Sequence, residues 1–76
     1  MRQLNRRDVR NLNDFDEIYR LYANDVYRYL MRITGNETEA EELTQETFLH
    51  AVEKIHTFRG ETSIKAWLIV IAKNCY

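Results

Sequence analysis

The chain has 76 residues, 45% apolar and 30% charged, with no proline and a net charge of −1. That balance excludes a disordered or fibrous chain and predicts one helix-rich domain, whose core is thin because a chain of this size buries only about 60–65% of its unfolded surface. Its one cysteine, Cys75, excludes an internal disulfide, the opening Met1 to Arg10 lacks the apolar core of an export signal, and the longest apolar run, Ala66 to Ala72, falls far short of the roughly 20 residues that span a bilayer. The expectation is therefore a cytoplasmic protein without membrane attachment.

Residues 1–13 read as a polar, basic leader, and residues 1–12 alone carry a net charge of +3. The helical domain is expected over residues 14–76. Its first helix is predicted to start at Asp14, with Glu17 three residues later completing a capping box. Phe15, Ile18, Tyr19, Tyr22, Val26, Leu30 and Ile33 recur at helical spacing and form its buried stripe, flanked by Tyr27 and Tyr29. Gly35 can adopt the left-handed conformation that ends it. Thr38 and Glu41 repeat the capping pattern for a second helix, whose inner stripe is Ala40, Leu43, Thr47, Phe48, Ala51, Val52 and Ile55. The outer face of this helix is acidic: residues 36–55 sum to −5. A loop from His56 to Thr62 follows. Ser63 then caps a third helix in which Ile64, Trp67, Leu68, Ile71, Ala72 and Cys75 face the core, within a segment (residues 56–76) of net charge +2. The predicted fold is all-α, a small bundle of about three main helices.

Enzymatic function is not expected. His50 and His56, six residues apart, fall on different sides of a helix, a lone cysteine gives no zinc spacing, and both phosphate-cradling glycine motifs are missing, so neither a metal site nor a cofactor is predicted. Asp14, Asp16 and Glu17 are accounted for by a helix start. Two segments have the chemistry of binding surfaces. The run Glu41-Glu42-Leu43-Thr44-Gln45-Glu46 offers carboxylates and a carboxamide to arginine or lysine donors, and it equally suits a solvated helix face. Phe58-Arg59-Gly60, followed by Thr62, Ser63 and Lys65, offers a ring, a guanidinium and small hydroxyls to unpaired bases, while Phe58 also suits a plug over the end of the bundle.

Read together, Ala40-Glu41-Glu42-Leu43-Thr44-Gln45-Glu46-Thr47-Phe48-Leu49, then Phe58-Arg59-Gly60-Glu61-Thr62-Ser63-Ile64-Lys65-Ala66-Trp67-Leu68, then Ile71-Ala72-Lys73-Asn74, resemble the second conserved region of extracytoplasmic-function sigma factors of the sigma-70 family. The resemblance covers residues 14–76. It implies transcription initiation without catalysis by the domain itself: Glu42, Gln45 and Glu46 would dock on the clamp helices of the RNA polymerase β′ subunit. Phe58, Arg59, Ser63, Lys65 and Asn74 would hold the displaced non-template strand of the promoter −10 element and capture a flipped base, with Lys73 at a phosphate. Where the family commonly has an aromatic and a basic residue after the Trp-Leu pair, this chain has Ile69 and Val70, an apolar pair suited to another protein such as an anti-sigma factor, or to the missing remainder of the chain. Chains of this family continue into a second helical domain that reads the −35 element. That domain is absent from this sequence, so a fragment, a truncated product or an excised domain is expected.

Overall fold

The computed structural model describes the backbone of residues 12–76 and the side chains from Phe15 onward. Helix α1 runs over Leu12–Thr34, α2 over Glu37–Lys54 and α3 over Ile64–Cys75, with a single 3₁₀ turn at Ile55–Thr57 extending α2. No strand occurs among the described residues. The all-α expectation holds, and the 3₁₀ turn shortens the expected loop.

Two of the predicted helix starts are corrected. Asp14 lies inside α1, which is already helical at Leu12, so the leader expected through Asn13 gives its last two residues to the helix, and the rest of that leader lies outside the described residues. The second helix is capped by Asn36 in place of Thr38: Asn36 is extended, and its Oδ1 accepts from the Glu39 backbone N–H at 2.8 Å. Asn36 and Glu39 stand at the same spacing as Thr38 and Glu41, and the earlier pair prevails because α1 ends directly at Gly35. There φ is +68° and the N–H donates to the Met31 carbonyl at 2.8 Å. A Cβ at Gly35 would meet nothing within 4 Å, so the glycine is needed only for its backbone conformation, which costs other residues about 1–2 kcal/mol. The predicted third cap is present: Ser63 Oγ accepts from the Ala66 N–H at 3.0 Å.

Helix α2 supplies the middle of the core through small side chains. Ala40, Thr44, Thr47 and Ala51, spaced four, three and four residues apart, are all buried and lie along one seam. Thr44 is polar and was not expected inside. Its hydroxyl is satisfied by donating to the Ala40 carbonyl at 2.7 Å, as that of Thr47 is by donating to the Leu43 carbonyl at 2.7 Å, which removes the penalty of burying them. Val26 and Leu30 from α1, and Leu68 and Ala72 from α3, complete the fully buried set. At one end, Phe48 receives Phe15 and Tyr19 edge-on, with ring centroids 6.0 and 4.8 Å away.

Tyr19 and Trp67 were both placed in the core by their spacing, and both lie at its margin. Tyr19 remains 40% exposed because its ring caps Phe48 from outside, and Trp67 is half-buried beneath Phe58. Both rings carry a polar group and pack against another aromatic at the edge of the bundle, Tyr19 on Phe48 and Trp67 on Phe58, whereas Phe15 and Phe48 are buried.

Candidate functional site

Because the small-residue seam of α2 turns inward, the opposite face must carry its charges outward. Glu41, Glu42, Gln45 and Glu46 are all exposed there. Gln45 stands between two depressions. On one side a polar cleft between α1 and α2 is lined by Tyr19, Asn24, Tyr27, Glu41 and Gln45. On the other side, Phe15, Tyr19, Phe48, Leu49 and Val52 make an apolar groove in which Leu49 is 66% exposed. A partner helix presenting cations and apolar side chains would meet both chemistries around one residue. Glu46 also faces His50 one turn on, with Oε2 and Nε2 3.9 Å apart and both side chains about half exposed, so the pair contributes little to stability.

The second surface lies between α1 and α3. Arg28 and Arg32, four residues apart on α1, converge with Lys65 and Ile69, four apart on α3, around a groove of about 390 Å³ that also has Tyr29 and Asp25 in its walls. Lys65 Nζ lies 4.0 Å from Asp25 Oδ2, so three cations face one carboxylate. Arg28 and Arg32 were not among the expected site residues, because α1 carries charges of both signs and forms no charged block in the sequence. Their four-residue spacing was the available signal. Ile69 lines this groove, whereas Val70 points to solvent and is 53% exposed, so the two residues do not form a common apolar patch.

The loop residues expected to contact nucleic acid are only partly brought together. Phe58 is half-buried against Trp67, with ring centroids 5.3 Å apart and planes at 52°, leaving part of its ring free. Arg59 beside it is exposed, and Gly60 takes φ +81°. The Ser63 oxygen is engaged in the cap, yet its O–H can still donate outward. Lys73 and Asn74 are exposed on α3, but Asn74 is nine residues from Lys65, half a turn out of phase, and lines a pocket on the α2 side with Glu46 and His50. The expected strand-binding set is therefore split across two faces of α3.

A small all-α domain of three main helices with an acidic face on α2 agrees with the fold that the resemblance implied. Residues 18–76 match the model of Sigma-70 region 2, and the chain belongs to that family. It is similar to the ECF RNA polymerase sigma factor SigM of Bacillus subtilis, at 44% identity over 61 residues, covering 80% of this chain and 37% of SigM. It is also similar to the ECF RNA polymerase sigma factor BldN of Streptomyces coelicolor, at 43% over 61 residues (79% of this chain, 23% of BldN), and to the RNA polymerase sigma factor YlaC of B. subtilis, at 32% over 68 residues (90% and 39%). The chain thus spans less than two-fifths of the length of these relatives. No solved structure matches it significantly. Among the described residues, no helix is long and apolar enough to cross a membrane.

Proposed function

We propose that this chain is a transcription-initiation domain that docks on the RNA polymerase β′ clamp helices and binds the non-template strand of the promoter −10 element. The observation that carries the reading is that the acidic face around Gln45 and the cationic groove around Lys65 share no lining residue. One domain can then hold a basic protein and an anionic strand at once.

In this reading Glu42, Gln45 and Glu46 accept hydrogen bonds from cationic side chains of the clamp helices. Arg28, Arg32 and Lys65 track phosphates of the displaced strand, with Lys73 at a further phosphate. The Phe58 ring and Arg59 guanidinium at the loop stack on an unpaired base and Ser63 donates to its edge, while Asn74, on the other face of α3, stands apart from that base. Stacking of about 1–3 kcal/mol per base offsets the few kcal/mol needed to unpair a flipped base. The domain itself makes and breaks no covalent bond, and the polymerase carries the chemistry.

A second reading, a protein-interaction module without DNA activity, is favoured by the exposure of Leu49 and Val70, which would suit an apolar partner such as an anti-sigma factor. Fluorescence anisotropy with a labelled single-stranded −10 oligonucleotide separates the two. Strand binding should weaken with salt, and Arg28→Ala with Arg32→Ala should lower the slope of log K against log salt by about 1.4, at roughly 0.7 per phosphate contact. Absence of strand binding at low salt, with clamp-helix binding retained, would favour the interaction module.

A further inference from the structure

The i, i+4 spacing that pairs Glu46 with His50 on α2 points both side chains toward the last turn of α3, where Cys75 is half-buried. The Glu46 carboxylate, the His50 imidazole and the Cys75 Sγ present ligand atoms that all lie within 4.8 Å of one another. They line a pocket of about 270 Å³ whose other walls are Lys54, Ile71 and Asn74. We propose that these three residues form a Zn²⁺ site at the junction of α2 and α3.

The geometry is close to what zinc requires. Ligand bonds of about 2.0–2.3 Å in a tetrahedron place donor atoms roughly 3.3–3.8 Å apart. The three atoms need to close by about 1 Å, which rotation of the half-exposed Glu46 and His50 side chains supplies while Cys75 stays fixed. One thiolate, one imidazole and one carboxylate form a borderline donor set that suits zinc. Magnesium and calcium prefer oxygen alone, and cuprous ion prefers a site richer in sulfur. The fourth position opens into the pocket, where Asn74 is placed to hydrogen-bond a bound water. Metal uptake replaces the thiol proton, which leaves to solvent. Burial raises the Cys75 pKa, Thr47 hydrogen bonding works against this, the Glu46 charge adds to it, and the Lys54 charge opposes it. Lys54 is the cation in the pocket, and it is exposed on a long stem that can withdraw.

Neither the His50–His56 spacing nor the lone Cys75 signals this site in the sequence. The Glu-x-x-x-His spacing on α2 was legible, but its third ligand lies 25 residues further along the chain and meets it only through the packing of α3 on α2. The site also bears on docking, a consequence that rests on the function proposed above. A Glu46 carboxylate bound to zinc is withdrawn from the clamp helices, so zinc occupancy opposes polymerase docking.

Co²⁺ titration of the chain tests the site without reference to docking. One Co²⁺ per chain should give a thiolate-to-cobalt charge-transfer band, Zn²⁺ should displace it, Cys75→Ser should abolish it, and His50→Ala should weaken Zn²⁺ affinity by more than about 100-fold, the upper end of what loss of an outer-shell partner costs. Helical circular dichroism of both variants should equal that of the parent. Absence of the band, or its persistence in Cys75→Ser, overturns the site whatever the clamp helices do. In a second arm, saturating Zn²⁺ should weaken clamp-helix binding by the parent chain and leave binding by Cys75→Ser unchanged. A normal cobalt band with zinc-insensitive clamp binding would remove the link to docking and leave the metal site standing. Failure of metal-free chain to bind clamp helices would sink the docking reading alone.

Discussion

Replacing Gln45 and Glu46 together with alanine is expected to weaken binding to a β′ clamp-helix fragment by about 30- to 900-fold while the helical signal of the domain stays unchanged. The size follows from losing two hydrogen-bonding partners of cationic groups, about 2–4 kcal/mol in total. The intact fold follows from placement. Both side chains are exposed outside the buried seam of α2, Glu46 on the flank that borders α3, and the Glu46–His50 pair lost with them is half exposed and 3.9 Å apart. Anisotropy at several salt concentrations checks this, since binding by the parent should also fall as salt rises. Equal affinity of variant and parent would move the docking surface elsewhere.

Leu68→Ala should have the largest effect on stability, about 2–5 kcal/mol, read from the denaturant midpoint. Leu68 is 0% exposed, among the largest of the fully buried side chains, and it is the central anchor of α3. A domain of this length is typically stable by roughly 4–11 kcal/mol, so the substitution removes a large fraction of the total and populates the unfolded state only if the parent lies at the low end. Leu49→Ala is the control. With 66% of its surface exposed, Leu49 should shift the midpoint by less than about 0.5 kcal/mol. If the two variants behave alike, α3 does not pack as described.

The helices were legible in the sequence because glycine and serine mark their ends for physical reasons. Gly35 takes the positive φ that ends α1, and Ser63 supplies the oxygen that starts α3. The missed features share one cause. Thr44 is polar, and its burial depends on a bond to its own helix that no periodicity of apolar residues can show. Tyr19 and Trp67 have core spacing, but each packs against another ring, Phe48 or Phe58, at the margin of the bundle, a placement set by tertiary packing. The acidic face could be read from one helix because all its members lie on α2. The cationic groove could not, since Arg28 and Arg32 meet Lys65 only when α1 and α3 pack together.

The two-residue link between α1 and α2 has a kinetic consequence. Gly35 and Asn36 hold those helices as neighbours from the moment both form, whereas α3 follows a longer connection and buries only Leu68, Ile71 and Ala72. Assembly should therefore proceed from the α1–α2 hairpin to the docking of α3, and transient opening should reverse that order. Amide hydrogen exchange would register it as faster exchange throughout α3 than at the centres of α1 and α2, and equal protection of all three helices would contradict it. The acidic face is complete in the hairpin alone, while the cationic groove exists only when the third helix is seated. On the function proposed above, a molecule caught in its open form keeps the surface for a protein partner and loses the one for a nucleic-acid strand.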